Sequence, residues 1–413
     1  MPATVITSAE PHDLRFTLPA GAGADSVHSD PQYSYAVTQL NTNSAISGTG
    51  LAFTLGGGND LVCRAIDALS PRLIGADIES LMANFSAVYR QLLDHPQYRW
   101  LGPHKGVVHL ALSSIANACF DLWAKTRGLP LWRLLLDLTP EQLLNTIDLG
   151  YLDDALTRDD ALALLTKEIP KRQSRLAIIE RGYPGYDTSI GWFQYSDDTI
   201  KQNIIKSLDQ GFDAVKLKVG SPEPERDIRR AFLVRETVGE AARVMLDVNQ
   251  QWTLPQAVIM CRRLRDMNPY WIEEPTHPDD VLAHQTLSRE IAPLKLAIGE
   301  HLPNQVIFKN YLQARAAGFL QPDCVRLGGV GEFIAVSLLA RKFGLPVVPH
   351  VGDMGQIHQH LVLFNHIALG HEVIFLEYIP HLREHFVQPA RVENGVYATP
   401  QQPGSSSDLI ALL

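Results

Sequence analysis

Lys218, Asp247, Glu273, Glu300, Asp323, His350 and Glu377 each close a short apolar run, and neighbours in this series lie 23 to 29 residues apart. If Asp247, Glu273 and Glu300 meet at one point they need a cation among them, because like charges a few ångströms apart do not all stay ionised unaided. An all-oxygen donor set selects a hard ion, Mg2+ or Mn2+, over zinc, and three protein ligands leave about three octahedral positions for water or substrate. Any one of these acids alone reads equally well as a helix cap or a salt-bridged loop residue. Three in register do not.

Lys216 and Lys218 sit two apart in AVKLKVG, so in a strand both side chains leave the same face. Two ammonium groups inside an otherwise apolar barrel are costly unless they face the carboxylates. Crowded together beside a dication, both lysines are expected to have lowered pKa values, which makes a neutral Lys218 available as a base. His350 ends PVVPH, and Asp323, on the preceding strand, is placed to take the proton of one ring nitrogen and fix the tautomer. A metal that ligates a substrate carboxylate, with a proton-transfer group on each side of the α-carbon, suits abstraction of the proton next to that carboxylate. The doubly charged enediolate would then be held by the metal and the cationic Lys216.

The runs that carry these residues, AVKLK, VMLDV, YWIEE, KLAIGE, CVRLG, PVVPH and VIFLE, are rich in β-branched and aromatic residues, and their spacing fits one strand plus one helix. That pattern predicts a parallel barrel with its site at the C-terminal strand ends. YDTSIGWF is expected as the first barrel strand and DTIKQNIIKSLDQGF as the helix before Lys218. Upstream, TVITSAEPHDLRF, YSYAVTQLNTN and GTGLAFTLGGGND predict strands, followed by helical patterns in LVCRAIDALSPRLI, IESLMANFSAVYRQLL and KGVVHLALSSIANACFDLWAKTRG. The expected organisation is an α+β domain over 1–138, a barrel over 139–385, and a C-terminal segment, 386–413, that returns to the first domain.

A chain of 413 residues, 46% apolar, is long enough for two such units. Its net charge of -9 gives no basic footprint, so nucleic acid and anionic membranes are poor partners and a small molecule is the expected one. The start MPATVITSAEPHDLRF lacks a basic-then-apolar pattern, and no run approaches the roughly 18 apolar residues that span a bilayer. A soluble cytoplasmic protein that assembles as a homo-oligomer is expected. Cys63, Cys119, Cys261 and Cys324 have no metal-like or redox-like spacing, and His358 and His360, two apart on a helix, are not read as ligands.

The motifs KLKVG, LDVNQQW, WIEEP, IGEH and VPH resemble the mandelate-racemase-like branch of the enolase superfamily. DPQYSYA, TLGGGND, YRWLGPHKGVVHLAL, LTPEQLLNTID, DALTRDDALA, GYPGYDTSIGW and EEPTHPDDVLAH further resemble the L-fuconate and L-galactonate dehydratases of that branch. The resemblance runs from about His12 to Gly404. It implies an α/β fold, a modified (β/α)7β TIM-like barrel with an N-terminal α+β capping domain. It also implies Mg2+ on Asp247, Glu273 and Glu300, Lys218 as base at C2, and His350, oriented by Asp323, as the acid at the C3 hydroxyl. Lys216, Glu377, Gly23, Ala24, Asp25, Tyr33, Val351 and Gly352 would contact a sugar acid, which loses water to give a 2-keto-3-deoxy acid.

Three departures bear on specificity. Gly57 stands where the family carries Arg, Ala24 where it carries Ser, and Val351 and Asp353 replace small residues after the barrel histidine, so both are expected to alter the pocket wall. The same site residues would also serve a racemase or epimerase acting at C2 of a hydroxy acid. A non-catalytic barrel is the third reading, one that an intact set of acids, lysine and histidine disfavours.

Overall fold

The computed structural model describes residues 3–413. Strands β1 (Ile6–Arg15), β2 (Ser34–Thr42) and β3 (Gly48–Thr54) form an antiparallel sheet in that order, all three where strand composition predicts them. Pro11 is tolerated because β1 is an edge strand. Helices α1 (Asn59–Leu69) and α2 (Gly106–Thr126) pack on the sheet. Gly50 permits this approach, since a Cβ there would stand 1.9 Å from Ser114 O. Helix α2 corrects one sequence expectation: by length and composition it could cross a membrane. Here 83% of its most apolar stretch is buried within the fold instead.

Eight parallel segments follow. They are β4 (Tyr183–Gly191), β5 (Ala214–Lys218), β6 (Arg243–Asp247), β7 (Trp271–Glu273), β8 (Leu296–Ile298), β9 (Phe319–Leu320), a seventh segment bridged only at Leu320–Val347, and β10 (Leu376–Tyr378), which pairs back onto β4. Seven helices join them: α3 (Asp197–Asp209), α4 (Pro224–Val238), α5 (Leu254–Leu264), α6 (Val281–Glu290), α7 (Gln305–Ala314), α8 (Val330–Phe343) and α9 (Gln356–Phe364). This is the (β/α)7β arrangement.

Each barrel segment gives one residue to a buried floor: Tyr186, Ala214, Met245, Trp271, Ala297, Phe319, Val348 and Phe375. Side chains two residues apart share a face of a strand. Directly above that floor the sequence therefore places Thr188, Lys216, Asp247, Glu273, Gln321, His350 and Glu377. An apolar floor beneath a charged layer is the main feature that positions the site.

The C-terminal segment touches the barrel before it reaches the first domain. A hairpin of β11 (Val392–Glu393) and β12 (Val396–Tyr397) first pairs with the start of β4. The chain then reaches the N-terminal sheet and α2, where Gly404 O accepts from Leu131 N at 2.8 Å, Ser405 N donates to Asp121 Oδ1 at 2.7 Å, and Thr49 donates to Asp408 at 2.6 Å.

Two buried histidines, one of them within this packing, make the fold sensitive to acid. His360 accepts from Trp132 N and contacts Ser406, and burial pushes its pKa down to about 3. Burial likewise pushes His371, bonded to Ser337 O, down to about 4. Unfolded histidines take up a proton near pH 6.5, so between about 6.5 and 4 the unfolded chain binds more protons and stability falls as pH drops. Each histidine adds at most about 1.4 kcal/mol per pH unit in that window. Melting temperatures of the wild type and His360→Asn over this range should show a shallower slope in the variant. Identical slopes would remove His360 as a cause.

Candidate active site

The structure brings the seven strand-end residues together. Lys216, at the centre, places Nζ 2.7 Å from Glu273 Oε1, 2.7 Å from Glu377 Oε1 and 3.7 Å from Asp247 Oδ2. Lys218 pairs with Asp247. Glu273 Oε2 accepts from Trp271 Nε1 and Gln321 Nε2, both at 2.9 Å, and Glu377 accepts from the Thr188 hydroxyl at 2.5 Å. Thr188 and Gln321 escaped sequence reading because neither carries charge. Their place two residues after Tyr186 and Phe319 was the available signal.

His350 Nδ1 lies 2.8 Å from Asp323 Oδ2, and its Nε2 lies 3.3 Å from Glu300 Oε2. Asp323 Oδ1 accepts from Val325 N at 2.9 Å and is 3.0 Å from His358 Nε2, so His358 walls the dyad although it belongs to no ligand set. Only Lys218, Glu300 and His350 keep appreciable exposure, at 7%, 9% and 11% of their side chains, whereas Lys216, Asp247, Glu273 and Asp323 are sealed. Whatever reaches this site meets those three side chains.

The electrostatics follow from burial and charge count. Burial raises Glu273, and with Asp247, Glu377 and Glu300 nearby its carboxyl is pushed up to about 8. Burial opposes the ionised form of Asp247, but Lys218 and Lys216 overcome this and hold it down at about 2. For His350 burial acts downward, yet Glu300 and the bond to Asp323 raise it to about 9, so the ring is cationic at neutral pH. Without an ion, burial would lower Lys218, but Asp247 outweighs burial and holds the ammonium above its ordinary pKa. The expected lowering assumed a dication that competes for Asp247.

Once Glu273 is ionised, as ligation of a cation would require, Asp247, Glu273, Glu300, Asp323 and Glu377 against Lys216, Lys218 and the His350 ring leave two negative charges, which one divalent ion would balance. Oxygens of Asp247, Glu273 and Glu300 lie within 4.8 Å of one another, and Glu300 Oε2, though buried, makes no hydrogen bond of good geometry, with the His350 ring 3.3 Å away. These residues fit a hard dication. Glu274, Glu300 and His301 also converge, but Glu274 Oε2 is already taken by Gln250 Nε2 at 2.5 Å and His301 Nδ1 at 2.8 Å. We favour the first group.

The loop joining β1 to β2 covers the strand ends. Phe193 N donates to Ala24 O at 2.9 Å and Ser26 Oγ to Val248 O at 3.0 Å. Gly23 is left-handed at φ +72°, and a Cβ would come within 3.1 Å of the Tyr33 hydroxyl oxygen. The Asp25 carboxylate is largely taken up within its own loop, by Val27 N and His28 N at 2.7 Å and by the His28 ring.

Val351 and Asp353 do not alter the pocket wall with their side chains as expected. Val351 packs outward with Tyr183, Met354 and Tyr397, and only its N–H turns inward, to Glu377 Oε2 at 3.2 Å. Both Asp353 oxygens are bonded at 2.5 Å, one by the Tyr35 hydroxyl and one by Gly355 N. Gly352 packs so tightly on Phe53 that a Cβ would fall 2.5 Å from its ring. Gly57 has open space around it.

Comparisons with known proteins agree with this architecture. The mandelate racemase / muconate lactonizing enzyme N-terminal domain model matches residues 13–135, and the enolase C-terminal domain-like model matches 200–410. The human mitochondrial enolase superfamily member 1 is 43% identical over 96% of this chain and 92% of its own length. Its crystal structure superposes with a TM-score of 0.96, at 41% identity, over 99% of this chain and 95% of that one. L-galactonate dehydratase of Hypocrea jecorina is 39% identical over 99% of this chain and 93% of its own. L-talarate/galactarate dehydratase from Salmonella typhimurium LT2, solved with Mg and L-lyxarohydroxamate, shares the fold at a TM-score of 0.79 and 24% identity, covering 99% and 91% of the two chains. With both of its parts matched in order and a relative above 40% identity along nearly its whole length, the chain belongs to the mandelate racemase / muconate lactonizing enzyme branch of the enolase superfamily.

Proposed function

We propose that this protein is a Mg2+-dependent sugar-acid dehydratase, a hydro-lyase acting on an aldonate of the L-fuconate or L-galactonate kind. One observation carries the reading: Lys218 touches Asp247 and His350 touches Glu300, so a base and a protonated acid bracket the three-carboxylate cluster. The 39% identity to L-galactonate dehydratase over almost the whole chain supports it.

Asp247, Glu273 and Glu300 would hold Mg2+, or Mn2+ in its place. Bound there, the ion would balance the carboxylates and stabilise charge that develops on the substrate carboxylate. Lys218, in its neutral form, takes the C2 proton. Lys216, fully enclosed, contributes positive charge from behind Glu273 and Glu377. The electron pair left at C2 expels the C3 hydroxyl as His350 passes its Nε2 proton to the departing oxygen, giving water and an enol. Asp323, held well below the usual carboxylate range by His358 and His350 against the effect of burial, keeps Nδ1 protonated and the ring aimed. Ketonisation of the enol yields the 2-keto-3-deoxy acid. Gly23, Ala24, Asp25 and Tyr33, with Gly352 and the Val351 backbone, enclose the polyol end.

Racemisation at C2 would need His350 as a second base, whereas the Asp323 carboxylate at 2.8 Å on Nδ1 suits the ring to donating from Nε2. Incubation with Mg2+ and a panel of C5 and C6 aldonates, with semicarbazide to detect 2-keto products, should give product from at least one acid. No product from any acid would defeat the reading. C2 deuteration in D2O without keto product would favour the epimerase.

A further inference from the structure

The geometry points to Tyr35 as a positioning residue for the His350–Asp323 dyad: acting through Asp353, it sets how an enediolate divides between loss of the C3 hydroxyl and return to substrate. The inference rests on the dehydration reading.

Tyr35 lies on β2, outside the barrel, and is completely buried. Its ring is boxed by Phe16 and Phe53, with centroids at 5.9 and 5.8 Å, and its carbonyl accepts from Asn59 at 3.0 Å. The hydroxyl can therefore point one way only, to Asp353 Oδ2 at 2.5 Å. Asp353 is 2% exposed and stands three residues after His350. Its second oxygen accepts from Gly355 N, so this one carboxylate ties the loop that carries His350 to β2.

The other half of the dyad is held from the same sheet. Phe53 N donates to Val325 O at 2.9 Å, and Val325 N donates to Asp323 Oδ1 at 2.9 Å. Between the two attachments, Gly352 rests on the Phe53 ring. Two strands of the N-terminal sheet thus fix both ends of the Asp323–His350 contact, while nothing comparable runs from Tyr35 to Lys218, whose partner Asp247 is on the adjacent barrel strand. Tyr35 and Asp353 touch no reacting atom.

Loss of the hydroxyl leaves Asp353 Oδ2 buried without a donor, which loosens the His350 side of the site and spares the Lys218 side. The two sides do separable chemistry. Lys218 Nζ can return a solvent-derived hydron to C2, which restores labelled substrate. Elimination needs the His350 proton on the departing oxygen. Weakening only the second step diverts the enediolate to return.

The test uses the Mg2+-loaded enzyme in D2O with an aldonate that the wild type dehydrates. Keto acid is followed by semicarbazide and C2 deuterium in recovered substrate by NMR. Tyr35→Phe should lower kcat for dehydration about 10- to 100-fold with KM near the wild-type value, and deuterated substrate should accumulate relative to keto acid. Asp353→Asn, which keeps an acceptor for Tyr35, should fall between the two and carries the same readout should Tyr35→Phe fail to fold. Unchanged dehydration, or dehydration and deuteration reduced in equal proportion, overturns the inference. A wild type that makes no keto acid from any aldonate defeats the dehydration reading, and the inference with it.

Discussion

Lys218→Ala is expected to lose both dehydration and C2 hydron exchange, by at least the roughly 10²- to 10⁴-fold attributable to one general base. Loss of both reactions distinguishes it from changes on the His350 side, which spare exchange. The ammonium also neutralises Asp247, which is sealed from solvent and whose only other cationic neighbour is Lys216 at 3.7 Å. Removing one partner of a buried pair costs about 3 to 5 kcal/mol, and the residual contact to Lys216 moves the expectation to the lower end. That penalty should shrink when Mg2+ supplies the missing charge. Melting curves in EDTA and in Mg2+, beside exchange measured in D2O, test both parts, and exchange persisting at the wild-type rate would place the base elsewhere.

Glu300→Gln is the second large effect. Of the three carboxylates, Glu300 alone has no lysine partner, only the His350 ring at 3.3 Å from its Oε2, and it is also the most exposed of them. Asp247 and Glu273 are held by lysines. Glu300 is therefore the ligand most ready to take a cation, and its amide should weaken Mg2+ binding by at least about 10²-fold, the upper end seen when a ligand loses an outer partner. Isothermal titration without substrate reads this apart from turnover. Glu274→Gln is the control: its carboxylate is already taken up by Gln250 and His301, so affinity should stay near wild type. The reverse ranking would move the ion to the neighbouring group.

What the sequence revealed about this site follows the alternation of its strands. Asp247, Glu273, His350 and Glu377 stand two residues beyond Met245, Trp271, Val348 and Phe375, so an apolar run ending in a polar residue marks both the barrel interior and its charged layer. The sequence signal weakens where that alternation stops. Val351 and Asp353 lie past the strand end, in a loop whose directions are set by Tyr35, Phe53 and Gly355, and local pattern carries no trace of those contacts. Gln321 follows a strand of only two residues, too short to show a period. The protonation of Lys218 is out of reach of the sequence for another reason. It depends on how near Asp247 comes, a distance that spacing along the chain does not encode.

The attachment of Ser405 to Asp121 has a consequence in time. The two residues are 284 positions apart, and Asp121 is buried in α2 with Ser405 N and Oγ as two of its donors. At roughly 5 to 20 residues per second, a ribosome needs about 15 to 60 s to travel from one to the other. Through that interval the N-terminal sheet and its helix must wait with an incompletely satisfied carboxylate while the entire barrel is made. The unit that emerges first is the last to be finished.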